Sequence, residues 1–208
     1  MSETSAARRA LWGERSEDRW RDALRSYRAV VAKQGVARLT ELDAWYRDEL
    51  PPAIAARRAP HVTLAELTRL TEWKMARGVW RAPNLVLVRG NDADAATTIS
   101  TEALAAAPHP TTPIALLSSL AGVGAATASA VASAHAPDVY PFFDELVAGQ
   151  VPGLGAVKWT LRFYAGYADA LRERATRLGA DWTPTMVERA LWASVGGKRG
   201  DAALAGAH

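Results

Sequence analysis

The chain has 208 residues, 49% hydrophobic and 23% charged, with a formal net charge of +3, a profile that fits one globular domain or two compact lobes. It contains no cysteine, which excludes disulfides, thiolate zinc sites and cysteine-ligated iron–sulfur clusters. No apolar run reaches the roughly 18 residues of a membrane span, and Met1-Ser2-Glu3-Thr4-Ser5 lacks the basic and apolar regions of a signal peptide. A cytoplasmic location is therefore expected, on the nucleoid if the source is bacterial. Of the 25 basic residues 21 are arginine, the cation suited to phosphate forks and aromatic stacking, although genome composition accounts for the same excess.

Residues 1–15 read as a flexible N-terminus. Ser16 is placed to cap a helix in which Trp20, Leu24, Tyr27 and Val31 recur as one apolar stripe. Thr40 is the expected cap of a short helix that reaches Leu50 and stops at Pro51-Pro52. Thr63-Leu64-Ala65-Glu66 is a capping-box pattern opening a helix to about Arg77, ended by Gly78. Residues 83–88 fit either a short helix or an extended piece. A helix from about Asp92 to Ala107 is broken by Pro108 and Pro110. Helices are then expected over 112–121, over 125–134 and, after the turn Pro152-Gly153-Leu154-Gly155, over 156–178. Thr183-Pro184 opens a last helix through Trp192, with proline at its first position. The tail 196–208 reads as disordered. No strand alternation stands out, so the predicted fold is all-α, a bundle of about eight to ten helices over 16–195.

Between the helices at 112–121 and 125–134 lies Leu120-Ala121-Gly122-Val123-Gly124-Ala125-Ala126-Thr127-Ala128. Two glycines let a backbone turn sharply and approach a ligand closely. Amides opening the following helix favour an anion; on DNA that anion is a backbone phosphate, held without reading sequence. The same residues also suit a tight corner packed in a core. A dinucleotide or P-loop reading fails, because no strand precedes the glycines and no third glycine or Gly-Lys-Ser/Thr follows. Asp144, in Tyr140-Pro141-Phe142-Phe143-Asp144-Glu145, follows Gly122 by 22 residues.

These segments resemble the helix-hairpin-helix DNA glycosylase superfamily. Residues 120–128 are similar to its Leu-Pro-Gly-Val-Gly-x-x-Thr-Ala, and Val139-Tyr140-Pro141-Phe142-Phe143-Asp144 looks like the stretch ending in its essential aspartate. The motifs cover about 112–149, and the helical layout extends the likeness more loosely over 60–195. Ala121 stands where the family has proline, and Ala126 where lyase-competent members carry lysine. With the cluster cysteines also absent, the resemblance implies a monofunctional member with no metal and no cofactor, acting on lesion-containing duplex DNA, with a monomer favoured. Glu72-Trp73-Lys74-x-x-Arg77-Gly78 further resembles an uncharacterised glycosylase-like family and implies no substrate.

The resemblance implies that Asp144 stabilises the sugar cation or activates water, and that Gly122, Val123, Gly124, Ala125 and Thr127 form the DNA-binding hairpin. By chemistry alone Asp144 is equally suited to capping the next helix. Tyr140, Phe142 and Phe143 are placed to exclude water around it, and Glu145 is its weaker alternative, about 100° away around a helix. A flipped base also needs a pocket. Lys74 falls within the apolar face of the helix at 63–77, so it either lines a pocket or snorkels at the helix C-terminus. Trp73 points the opposite way between Arg69 and Arg77, as a surface cation–π cluster or a stacking platform. Trp80 is a further pocket candidate. Trp159, Phe163 and Tyr167 read as a core stripe. The histidines show no metal-ligand spacing. The alternative reading of the whole chain is a non-catalytic helix-hairpin-helix DNA-binding module.

Overall fold

The computed structural model describes residues 11–198. Among them lie eleven α-helical segments, one π-helical turn and no strand. In chain order these are α1 (Glu17–Lys33), α2 (Leu39–Ala44), the π-turn (Trp45–Glu49), α3 (Leu50–Ala55), α4 (Leu64–Arg77) and α5 (Ala82–Arg89). They continue with α6 (Ala93–Ala105), α7 (Thr112–Leu117), α8 (Ala125–His135), α9 (Glu145–Ala148), α10 (Leu161–Leu178) and α11 (Pro184–Ser194). Among the described residues no helix is long and apolar enough to cross a membrane.

Two helices organise the core. In α8 every residue from Ala125 to Ala134 is buried. Its side chains are alanine, serine, threonine and valine, small enough for α3, α4 and α7 to pack closely against it. The second is α4, which touches α2, α5, α6 and α8. Its start is the predicted capping box: Thr63 accepts from the Glu66 N–H, and the Glu66 carboxylate accepts from the Thr63 N–H at 2.8 Å. Helices α1 and α11 pair along one flank, and α10 lies on α11. Trp20, Trp73 and Trp192 are fully buried in one continuous core.

Several sequence expectations need correction. Pro51-Pro52 does not stop a helix. Both prolines sit in the first turn of α3, where a missing N–H costs nothing. The π-turn before them widens the helical ladder where a proline ring would crowd the carbonyl of the preceding turn. The cap of α2 is Arg38, at φ 62°, rather than Thr40. Residues 82–89 resolve as helix. The helix expected over 156–178 begins only at Leu161, capped by the Thr160 hydroxyl. The first hairpin helix ends at Leu117 rather than 121. Of the segments expected to lack order, residues 11–15 carry the buried Leu11, and 196–198 pack back on the fold. Residues 1–10 and 199–208 of those segments lie outside the described residues.

Candidate functional site

The hairpin forms as a sharp corner between α7 and α8, and its two glycines do different things. Gly122 has φ +75°, and a Cβ there would meet the Asn84 carbonyl oxygen at 2.6 Å, the Leu87 Cβ at 2.9 Å and a Val88 methyl at 2.9 Å. It is required by packing against α5. Gly124 caps α8 in extended geometry and faces open space, with nothing within 4 Å of a built Cβ. Just before them Asn91 clamps residue 121, accepting its N–H at 2.9 Å and donating to its carbonyl at 2.9 Å. A proline has no N–H to give, so this clamp requires a residue other than proline at 121.

The chain from Tyr140 to Asp144 is buried and non-helical, and several of its backbone groups are satisfied by side chains. The Phe143 N–H donates to the Ser129 hydroxyl of α8 at 2.9 Å. Tyr167 donates to the Phe142 carbonyl at 2.6 Å, and Thr185 to the Tyr140 carbonyl at 3.1 Å. This scaffold fixes Asp144 at the N-terminus of α9. There its Oδ1 accepts the Leu146 N–H at 2.8 Å and the Val147 N–H at 3.4 Å. Its Oδ2 lies 3.3 Å from Arg77 Nε, an ion contact without hydrogen-bond alignment.

Arg77 is 2% exposed and is the hub of a buried ionic cluster. It donates to the Glu188 carboxylate and, at 3.2 Å, to the Tyr27 hydroxyl. Glu188 also lies 3.5 Å from Arg47. Tyr27 and Trp73 both donate to Asp43 Oδ1, at 2.7 and 2.9 Å. The aromatic rings of Trp192, Phe142 and Trp73 close over the Arg77 guanidinium, the nearest centroid at 4.5 Å. Burial pushes the Glu188 carboxyl above the ordinary carboxylate range, while the two guanidiniums oppose that shift.

Asp144, the start of α8 and the end of α4 meet at one cavity of about 500 Å³. Gly124, Ala125 and Ala126 form its hairpin side, and Phe142, Phe143 and Trp159 its aromatic side. Lys74, Arg77, Arg81 and Lys198 border it against Asp144 and Glu145. The Lys74 side chain forms no hydrogen bond or ion pair among the described residues. Burial, and secondarily the Arg81 guanidinium, hold its ammonium below the ordinary lysine range. Among the described residues no group of His, Asp and Glu is arranged to hold a metal ion.

Of the residues picked from sequence, Gly124, Ala125, Lys74, Arg77, Phe143, Asp144 and Glu145 border this cavity. Gly122, Val123 and Thr127 stand behind it. Val123 and Thr127 are buried, and the Thr127 hydroxyl has no partner. Trp73 is not on the surface: it is fully buried, stacked on Tyr46 at 3.7 Å, because α4 is surrounded and has no solvent face at that position. Tyr140 is buried away from the cavity, donating to the His109 carbonyl at 2.8 Å. Trp80 is 57% exposed but does not line the cavity. Trp159, expected in a core stripe, precedes α10, is 50% exposed and packs on Phe143 at the cavity wall. Lys198 was assigned to the tail, and it reaches the cavity by donating to the Gly78 carbonyl at 2.6 Å. Glu188 and Arg47 carried no local signal, since their partners lie far along the chain. Comparison of the chain with family models, with curated proteins and with solved structures gave no match.

Proposed function

We propose that this protein is a helix-hairpin-helix DNA glycosylase-like enzyme that hydrolyses the N-glycosidic bond of a damaged or modified base in duplex DNA. The observation that carries the reading is the single cavity bordered by both Asp144 and the Gly124–Ala126 start of α8. Amides at the start of α8 favour a backbone phosphate. The everted base enters between Phe142, Phe143 and Trp159, surfaces suited to stacking. As the glycosidic bond breaks, the bonding electrons leave with the base and positive charge grows on the sugar. The Asp144 carboxylate stabilises that charge or accepts a proton from the attacking water. Its cap bonds to α9 and the contact with Arg77 hold it in one orientation, so little reorganisation is needed during reaction.

The engagement of both Asp144 oxygens favours a second reading, a DNA-binding module in which the carboxylate is purely structural. One experiment separates the two. The protein is incubated with duplexes carrying a panel of base lesions, and abasic sites are scored after alkali. Under the enzyme reading one lesion is released, and Asp144→Asn lowers the rate by about 10²-fold or more. Asparagine caps helices as well as aspartate does, so the variant keeps its fold and its duplex affinity. Salt-dependent binding without base release from any lesion establishes the module instead.

A further inference from the structure

A second cavity, of about 520 Å³, opens where the N-terminal turn 11–13 meets the last turns of α10. It lies at the opposite end of that helix from Trp159, roughly 27 Å away along its 18 residues. Trp12, Arg15, Arg174 and Arg177 line it, and no carboxylate does. Arg174 is the fixed member. Its guanidinium lies over the rings of Trp12 and Trp20, 4.6 and 5.4 Å from their centroids, and donates to the Trp12 carbonyl at 2.9 Å. It has no ion pair among the described residues, and the Arg15 guanidinium has neither an ion pair nor a hydrogen bond among them. The nearby carboxylates are engaged elsewhere. Glu14 accepts the backbone N–H groups of Arg15 and Ser16, Glu17 accepts from Arg21 and Trp182, and Glu173 accepts from Arg177. The negative end of the α10 dipole is worth about half an elementary charge and Glu173 one more, so three guanidiniums exceed both together. Burial, and secondarily the Arg177 guanidinium, hold Arg174 below the ordinary arginine range. An arginine cannot relieve that by giving up its proton, whereas an external anion relieves it directly.

We infer that this second cavity binds a phosphate group, carried either by a nucleic-acid backbone or by a small phosphorylated compound. Guanidinium forks match the geometry of phosphate oxygens. The stacking of Arg174 on two indoles sets its plane before a ligand arrives, so little side-chain freedom is left to lose on binding. Arg15 and Arg177 are exposed and reach the phosphate from the turn and from α10. A single carboxylate is satisfied by one bidentate arginine. Three arginines around one cavity suit instead a group with three or four charged oxygens to share among them. The site uses none of the residues of the Asp144 cavity, and it does not rest on the glycosylase reading.

The test uses the full chain at fixed ionic strength with three probes: inorganic phosphate, pyrophosphate and a short duplex without lesions. Titration calorimetry follows the two small anions, and fluorescence anisotropy follows the labelled duplex. Arg15→Gln combined with Arg177→Gln removes the two exposed guanidiniums and leaves the Arg174 stack in place. Arg25→Gln combined with Arg28→Gln removes the same charge from exposed ion pairs of α1 outside the cavity. The first pair is expected to weaken binding by about tenfold or more, the loss of one charge-assisted contact. The second pair is expected to leave it within about twofold, because exposed charges beyond a Debye length are screened. A loss of duplex affinity confined to the first pair identifies the nucleic-acid backbone as the source of the phosphate. A loss of phosphate or pyrophosphate affinity in the first pair, with duplex affinity unchanged, identifies a small phosphorylated compound. Unchanged affinity of the first pair for all three probes, or failure of wild type to bind any of them, overturns the inference. An equal loss in both pairs also overturns it, since net charge then accounts for the binding.

Discussion

The two hairpin glycines look interchangeable in sequence and are not so in space. Gly122 combines a positive φ with three neighbours closer than 3.0 Å to a built Cβ, one of them a backbone oxygen. An alanine there bears left-handed strain of about 1–2 kcal/mol and overpacking of about 1–3 kcal/mol. Gly124 has an ordinary φ and open space around it. Gly122→Ala is therefore expected to lose about 3 kcal/mol in urea denaturation, and Gly124→Ala to change stability little. Equal losses at the two positions would show that the corner is not held against α5 as described. Lys74 and Trp73 make the complementary point about legibility. The helical spacing of α4 placed Lys74 inward, and it borders the cavity. The same spacing placed Trp73 outward, yet it is fully buried. Periodicity finds the most apolar face of a helix, but it cannot tell whether the opposite face meets solvent or a second neighbour.

Elements were readable where their signals are local. The Thr63–Glu66 box, the helix start at Asp92 and the Thr183 cap followed by Pro184 all formed from contacts within a few residues. Elements were misjudged where a distant partner decides. Pro51-Pro52 follows a π-turn held by the packing of Trp45 and Tyr46, whose hydroxyl donates to the Ala130 carbonyl at 2.8 Å, 84 residues away. Residues 156–160 stay out of α10, leaving Trp159 free to reach Phe143. The importance of α4 as an element can be measured at its far end. Thr63→Ala removes one half of the capping box while leaving Lys74 and Arg77 in place. The expected loss is about 1 kcal/mol, a fall in Tm of about 2–4 °C for a chain of this size. A much larger drop in Tm would mean that α4 is not an independently supported strut.

At the scale of the whole molecule, one charged cluster ties the N-terminal helices to the C-terminal one. Arg77 of α4 bridges Glu188 of α11 and Asp144 at the start of α9, while Arg47 of the π-turn also faces Glu188. Removing the arginine strands two buried carboxylates at once, which is costlier than the pair is stabilising. Arg77→Met keeps much of the packing against Trp192 and Phe142 and deletes the charge. It is expected to cost about 3–5 kcal/mol near neutral pH. The pH dependence has a definite sign. Burial already raises the Glu188 carboxyl, and Arg77 is the first of the charges opposing that rise. Without it, the folded-state value climbs further above the unfolded value of about 4.3. A carboxyl raised in the fold contributes stability that is complete below its unfolded value and is lost as pH rises through its folded one. The gap between wild type and Arg77→Met should thus be small near the unfolded value and widen toward neutral and mildly alkaline pH. Urea titrations at matched ionic strength across that range measure it directly. A gap that stays constant with pH would mean that Arg77 serves the fold through its aromatic contacts alone, and that Asp144 does not depend on it for orientation.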